Sequence, residues 1–264
     1  MNAEQKKKWD AAYGPKNTKL INSIESGKMK GRDITRWKYQ RYIKDYLRCI
    51  KAVDENVGRL LKYLDTSGLA ENTIVIYSSD QGFYLGEHGW YDKRWMFEES
   101  LAMPFLVRWP GVIPKGSESK TLIQNIDYAP TFLELAGAKI PKNIHGRSLV
   151  SAFKEPSKAP QDWRKSIYYA YYGEITHRVA KHDGIRTPKH KLIHFPETKE
   201  WNLFDLEKDP SEMTSVHSKP EYLNILTSLK STYKEKKKTF AVNTATVPVP
   251  RWDQEWWRNR HREK

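Results

Sequence analysis

The sequence predicts an α/β protein: part of a parallel sheet covered by helices, followed by a small antiparallel sheet with one helix. Three observations support this class. A long helical stripe of apolar residues leads into a short β-branched run, a second apolar run follows, and the later part of the chain has short aromatic runs between turn residues. With 264 residues and 38% hydrophobic content, the chain is long enough to bury a core.

Residues 1–36 are polar and rich in lysine, and we interpret them as a peripheral basic segment. From Trp37 to Leu64, apolar residues recur at steps of three and four, the spacing of one buried helical face. Gly68 supplies a typical helix stop. Residues 73–77 then form a β-branched apolar run, as in a central strand that is covered on both faces. A helix that leads into such a strand favours a parallel sheet.

The rest of the chain is predicted to contain further strands and two further helices. Residues 105–109 predict a second strand, and residues 127–135 predict a helix. The small antiparallel sheet is predicted from the aromatic runs 167–172, 184–187, 191–195 and 201–206, and an amphipathic helix at 220–236 is expected to pack on it. The predicted organisation is a peripheral segment (1–36), an α/β part (37–158), a small α+β domain (159–238) and a Trp-rich basic tail (239–264).

The charge balance predicts polyanionic partners. Lys and Arg number 46 against 32 Asp and Glu, giving a net charge of +14, and aromatic residues make up 12% of the chain. These values fit a sulfated polysaccharide or a nucleic acid, or simply a solvated basic surface. The single cysteine, Cys49, excludes an intramolecular disulfide and any multi-cysteine metal site. The sequence has no apolar run of membrane-spanning length and no secretory signal at its start.

Oxygen-bearing and cationic side chains cluster after the first predicted strand. Asp80 and Gln81 follow it directly, and Gly82 permits a tight turn. Calcium takes six to eight oxygen ligands, so this pair would supply only part of a calcium site. His88 and Lys93 come next, adding a proton donor and a fixed cation, a set that suits an anionic tetrahedral ester. The alternatives are an Asx turn, a loop histidine and a surface lysine.

An ordered series of motifs runs along about residues 37–215. The motifs are residues 72–82, Leu85-Gly86-Glu87-His88-Gly89, Asp92-Lys93, Glu98-Glu99-Ser100, Arg108-Trp109-Pro110-Gly111, Asp127-Tyr128-Ala129-Pro130-Thr131, His145-Gly146-Arg147-Ser148-Leu149, Gly184-Ile185-Arg186-Thr187 and residues 203–212. In this order they resemble the second half of a type I sulfatase of the alkaline phosphatase superfamily, and they are most similar to the iduronate-2-sulfatase and heparan-sulfatase-like branch.

The resemblance implies the later part of a doubly wound sulfatase sheet and a role for each matching residue. Asp80 and Gln81 match calcium ligands, Lys93 matches the lysine that binds the sulfate oxygens, and His88 matches a catalytic-loop histidine near the substrate. A sulfated glycan, such as a glycosaminoglycan, is the implied substrate, and a periplasmic or secreted location is implied as well. His182 and Arg186, with His177 and His194, are interpreted as facing the sugar, or alternatively as ordinary strand residues.

The chain departs from the family at the nucleophile. Sulfatases convert the Cys of a C-x-P-x-R motif to formylglycine, and this motif is absent: Cys49 lies in Leu47-Arg48-Cys49-Ile50-Lys51-Ala52. The N-terminal Asp-Asp metal pair of the family is missing too. We therefore expect a C-terminal half that is inactive alone, with an apolar face for a missing N-terminal half or partner chain.

Two alternatives to the sulfatase hypothesis remain at this point. One is a phosphoesterase or phosphonate hydrolase of the same superfamily, because phosphate and sulfate esters share their geometry. The other is a non-catalytic module that binds polyanions. Within the sulfatase hypothesis, the positive charge favours sulfated polysaccharide over nucleic acid.

Overall fold

The computed structural model describes residues 1–173, 177 and 179–241; most of the predicted Trp-rich tail lies outside this range. The chain divides into two compact units, Met1–Leu69 and Ala70–Lys264. The predicted boundaries at residues 36 and 158 do not coincide with this division and stay predictions. Within the described residues, no helix has the length and apolarity needed to cross a membrane.

The first unit consists of two helices, α1 (Ala3–Glu25) and α2 (Arg32–Thr66). Asn2 begins α1 with a capping box: its side chain accepts a hydrogen bond from the Gln5 backbone at 2.8 Å, and the Gln5 side chain accepts one from the Asn2 backbone at 2.8 Å. Helix α2 confirms the helix predicted from Trp37 and begins five residues earlier. It ends before Gly68, whose φ of 71° is the left-handed conformation that terminates many helices.

The second unit begins with a two-stranded sheet of β1 (Val75–Ser78) and β2 (Phe105–Arg108). The α/β class is confirmed, but the expected parallel arrangement is wrong for these strands, which pair antiparallel with Val75 opposite Arg108. The connection explains this, because its only α-helix is the four-residue α3 (Glu98–Leu101), whereas a parallel crossover usually contains a longer helix. The expected apolar face is present: Tyr77 and Leu106 are register partners and are 37% and 65% exposed.

The later part of this unit confirms the predicted antiparallel sheet and its helix. The four strands pair in chain order, each antiparallel to the next. Ile185, Leu192 and Leu203 of this sheet are fully buried and form one core with Leu226 and Leu229 of the C-terminal helix. The elements are α4 (Tyr128–Leu135), α5 (Val150–Lys154), β3 (Ile167–Tyr171), β4 (His182–Arg186), β5 (His190–Phe195), β6 (Glu200–Asp205) and α6 (Leu223–Thr239).

A cluster of four charged side chains joins this sheet to α3. Lys191 of β5 is fully buried, and its Nζ lies 2.8 Å from both Glu98 Oε1 and Glu212 Oε1. Arg186 of β4 donates to Glu98 at 3.1 and 3.3 Å, and the Glu98 backbone N–H donates to Glu212 Oε2 at 2.6 Å. Two carboxylates and two cations therefore neutralise one another away from water. We name these residues the Lys191 cluster.

A second buried carboxylate, Asp183 of β4, fixes α6 to the sheet. It accepts hydrogen bonds from Tyr168 at 2.7 Å, from Tyr233 at 2.8 Å and from Lys237 at 2.6 Å, and His194 Nδ1 lies 3.2 Å away. Burial acts to raise the pKa of Asp183, but the hydrogen bonds from Lys237, Tyr168 and Tyr233 outweigh it and hold the pKa below its ordinary value.

The Lys191 cluster yields a stability prediction. Lys191→Met keeps the side-chain volume but removes the charge between Glu98 and Glu212, so we expect the free energy of unfolding to fall by about 3–5 kcal/mol. Urea denaturation measures this, and Lys191→Arg should recover part of the loss. The control is Lys189→Met, which breaks an exposed pair with Glu207 and should cost less than about 1 kcal/mol. Equal losses in the two Met variants would contradict the role of the cluster.

The Asp183 site yields a pH prediction. Because its folded pKa lies below the unfolded value of about 4, its ionised form stabilises the fold above that pH and this contribution disappears as the pH falls further. We expect Asp183→Asn to be less stable than the wild type at pH 7, and the gap to shrink below about pH 4. Urea denaturation at pH 7, 5, 4 and 3 measures the gap, with the exposed Glu221→Gln as control. A gap that stays constant down to pH 3 would rule out this linkage.

Candidate active site

A cavity of about 460 Å³ lies where the end of β1, α3 and the four-stranded sheet meet. Its lining brings together four of the six residues predicted from the sequence, namely Asp80, Gln81, Lys93 and Arg186. It also contains polar residues that the sequence analysis did not assign to a site: Glu98, Ser100, Gln124, Asn125, Tyr168 and Tyr169.

Asp80 and Gln81 are positioned by the turn that follows β1. Ser79 Oγ donates to the Gln81 carbonyl at 2.8 Å, and Asn125 Nδ2 donates to the Asp80 carbonyl at 3.5 Å. Gly82 permits the next step, because a Cβ there would lie 2.0 Å from the Glu99 carbonyl oxygen, and its N–H donates to the Ser100 carbonyl at 2.8 Å. The tight turn predicted from Gly82 is thus a close backbone contact with α3.

The oxygen atoms of Asp80 and Gln81 are of the type that calcium prefers. The described residues contain no group of three or more His, Cys, Asp or Glu side chains arranged to hold a metal ion. Two side chains fall short of the six to eight oxygens of a calcium shell. The donor type fits calcium, and a partial calcium site at these two residues stays a prediction.

Lys93 places a cation at the same cavity. Its side chain is half-buried, and in the described part of the chain it forms no ion pair with a carboxylate. The backbone carbonyl of Lys93 accepts a hydrogen bond from Ser100 Oγ at 2.5 Å, which fixes the loop against α3. An ammonium group that is partly removed from water and has no anionic partner is suited to bind an anion.

Glu98 and Arg186 form the wall contributed by the Lys191 cluster. Burial acts to raise the pKa of Glu98, but the charge of Lys191 and the hydrogen bonds from Arg186 and Lys191 outweigh it and lower the pKa. Glu98 is therefore ionised near neutral pH. The Glu98–Arg186 pair presents both an acceptor and a donor to the cavity, and its net charge is zero.

Tyr168 and Tyr169 of β3 form the aromatic side of the cavity. The Tyr168 hydroxyl donates to Asp183 at 2.7 Å, and the Tyr169 hydroxyl donates to the Arg94 carbonyl at 2.8 Å. Burial is the main reason that the pKa of Tyr169 rises to about 12, and burial also raises the pKa of Tyr168. Both phenols therefore stay protonated at neutral pH. Adjacent residues of a strand face opposite sides of the sheet, and Tyr168 and Tyr169 pack against two different core clusters, yet both also line the cavity at this edge of the sheet.

His88 and His182 are not among the residues that line this cavity. His88 has a φ of 52°, its ring stacks on Phe97 at 4.3 Å, and its Nε2 lies 3.5 Å from Glu99 Oε2. His182 is fully buried and stacks on Trp95 at 4.9 Å, with its Nδ1 2.8 Å from the Ala180 carbonyl oxygen. Burial lowers the pKa of His182, so it is neutral at physiological pH.

Cys49 is not among the residues that line this cavity. It is exposed on α2, and it forms no disulfide.

Comparisons with known proteins identify the family of the chain. A family model described as Sulfatase matches residues 4–138, and one described as N-sulphoglucosamine sulphohydrolase, C-terminal, matches residues 86–239. An N-acetylglucosamine-6-O-sulfatase of Bacteroides thetaiotaomicron is 45% identical over 245 residues, which are 92% of this chain and 43% of that protein. The human N-acetylglucosamine-6-sulfatase is 37% identical over 125 residues, which are 47% of this chain and 22% of that protein.

The solved structures include BT4656 in complex with its substrate D-glucosamine-2-N,6-O-disulfate. It superposes with a TM-score of 0.84 at 44% identity, over 94% of this chain and 50% of that one. This chain thus spans about half the length of the Bacteroides relative and of BT4656. Because the first family model alone matches half of the 264 residues and the second extends the match to residue 239, the chain belongs to the sulfatase family.

Proposed function

We propose that this chain forms the substrate-binding part of a sulfatase that hydrolyses a sulfate ester on the glucosamine of a glycosaminoglycan. The observation that carries the proposal is the half-buried Lys93, which lines the same cavity as Asp80 and Gln81. A sulfate group is an anion with several acceptor oxygens, so it fits this cation. The names of the similar proteins support glucosamine and its 6-O-sulfate as the substrate.

Each cavity residue has a defined part in this proposal. Lys93 donates hydrogen bonds to the sulfate oxygens and balances their charge. Asp80 and Gln81 supply two of the oxygen ligands of a calcium ion. When bound, such an ion polarises the sulfur–oxygen bonds of the ester. His88 stays a predicted catalytic-loop residue near the substrate.

The sugar-binding part of the proposal rests on the C-terminal sheet. A sugar ring packs its apolar face on an aromatic ring and directs its hydroxyl groups to polar partners. Tyr168 and Tyr169 offer the aromatic surface, and the Glu98–Arg186 pair offers a hydrogen-bond acceptor and donors beside it. We infer that this wall orients the sugar while Lys93 holds its sulfate.

We also propose that the nucleophile comes from another polypeptide segment. The 264 residues contain no C-x-P-x-R motif, and without a nucleophile the cavity cannot form a covalent sulfate ester. The exposed Tyr77–Leu106 pair on the β1–β2 sheet is an apolar surface on which such a segment would pack. From the family resemblance alone, we infer a periplasmic or secreted location.

Removal of the cavity cation tests the binding proposal. We expect Lys93→Ala to weaken the binding of D-glucosamine 6-sulfate by about 10- to 100-fold, since a hydrogen bond to a charged group contributes about 1.5–3 kcal/mol. Isothermal titration calorimetry with calcium present measures the dissociation constant. Lys115→Ala is the matched control, because this exposed lysine does not line the cavity. Unchanged affinity in Lys93→Ala, or an equal loss in the control, would refute the assignment.

The missing nucleophile gives a second prediction. The isolated chain should release no sulfate from 4-methylumbelliferyl sulfate in the presence of calcium, and Cys49→Ser should leave this result unchanged. A fluorescence assay of released 4-methylumbelliferone measures turnover. The proposal fails if the chain shows robust turnover that Asp80→Ala abolishes, because the chain would then contain its own nucleophile.

A further inference from the structure

The helical unit contains a second concave surface, a cleft of about 660 Å³ between α1 and α2. The rings beside it are in contact with one another: Trp9 lies 4.2 Å from Tyr13 and is 52% exposed. Five aromatic residues line the cleft: Trp9, Tyr13, Trp37, Tyr42 and Tyr46. A hairpin of two helices thus exposes an unusual amount of aromatic surface in one place.

The cations of this cleft are largely uncompensated. Arg41 lies over the rings of Tyr13 and Trp37, at 5.0 and 5.6 Å, and Lys16 lies over Tyr13 at 5.8 Å. Lys38 and Arg41 line the cleft, and Lys16 lies beside it. Among the described residues, none of these three cations forms an ion pair, whereas Arg48 of the cleft pairs with Asp45, the one acidic residue of the lining. The cleft therefore offers fixed positive charge beside flat apolar rings.

The charge of the whole helical unit has the same sign. Residues 1–69 contain 16 Lys and Arg against 8 Asp and Glu, so a net charge of +8 out of the total of +14 lies in this quarter of the sequence. Concentrated charge of one sign attracts polyanions and increases their rate of association.

We propose that the cleft between α1 and α2 binds a sulfated glycan chain, at a site that shares no residue with the candidate active site. Sugar rings pack on Trp9 and Tyr13, and sulfate groups bind Lys16, Lys38 and Arg41. The inference rests on the proposed function for its choice of ligand, because a sulfated glycosaminoglycan presents rings and sulfates in alternation.

Binding of a heparin hexasaccharide to the full chain tests this inference. The site variants are Trp9→Ala and Lys38→Ala, each of which removes one exposed side chain of the cleft. The matched controls are Tyr63→Ala and Lys62→Ala, which remove an exposed ring and an exposed charge from α2 outside the cleft. Circular dichroism of each variant verifies that the helices are intact.

We expect Trp9→Ala and Lys38→Ala each to weaken hexasaccharide binding about tenfold, and the two controls to change it less than twofold. Lys38→Ala should also lower the slope of log affinity against log salt concentration by about one. Chemically desulfated hexasaccharide should not bind detectably. Equal losses in the site variants and the controls would overturn the inference, since the binding would then reflect net charge alone.

Two further measurements distinguish a glycan from other ligands and the cleft from the cavity. Single-stranded DNA of matched length should bind more weakly than the hexasaccharide, and its affinity should change equally in Lys38→Ala and Lys62→Ala. Tight DNA binding that Trp9→Ala abolishes would overturn the choice of a glycan. Lys93→Ala measures the contribution of the cavity to hexasaccharide binding. If Lys93→Ala abolishes it and Trp9→Ala does not, the cleft inference fails while the proposed function stands.

Discussion

The neutralisation of Lys191 is the constraint on which the second unit depends. A fully buried ammonium group loses its hydration at a cost of several kcal/mol, and only close carboxylates offset this cost. Glu98 and Glu212 supply them at 2.8 Å, although the first lies in α3 and the second in the connection between β6 and α6. The backbone accommodates the pairing, because Glu212 adopts a φ of 51°, which is uncommon for a residue with a side chain. The pKa of the Glu212 carboxyl is raised, and burial is the largest cause.

Helix α3 is the element through which this constraint reaches the candidate active site. Its first residue, Glu98, belongs to the Lys191 cluster and lines the cavity beside Arg186. The carbonyl of its third residue, Ser100, accepts a hydrogen bond from the Gly82 N–H. The Ser100 hydroxyl donates a hydrogen bond to the Lys93 carbonyl. A helix of four residues has little stability of its own, so these contacts hold it. The anion-binding side and the sugar-binding wall therefore share one support.

The sequence predicted most elements because their signals are local, but it did not predict α1, whose residues are largely polar and only weakly periodic. The α2 stripe, the four aromatic strands and α6 all follow from apolar spacing, and the ordered motifs predicted Asp80, Gln81 and Lys93 in one cavity. Strand direction was not predictable from apolar runs, because a buried run fits parallel and antiparallel pairing alike. The burial of His182 and the part of Glu98 in the cavity depend on contacts between distant residues, for which one sequence has no local signal.

Contacts within one stretch of the chain position the residues of the proposed anion site. Backbone hydrogen bonds close the loop from Gly82 to Ser100 in successive steps, between Gly82 and Ser100, Tyr84 and Asp92, and Gly86 and Trp90. The loop thus fixes the spacing of Asp80, Gln81 and Lys93 by contacts inside residues 80–100. The Lys191 cluster fixes the Glu98–Arg186 pair of the proposed sugar-binding wall. In the proposed function, anion and sugar recognition therefore depend on contacts that lie within residues 80–212.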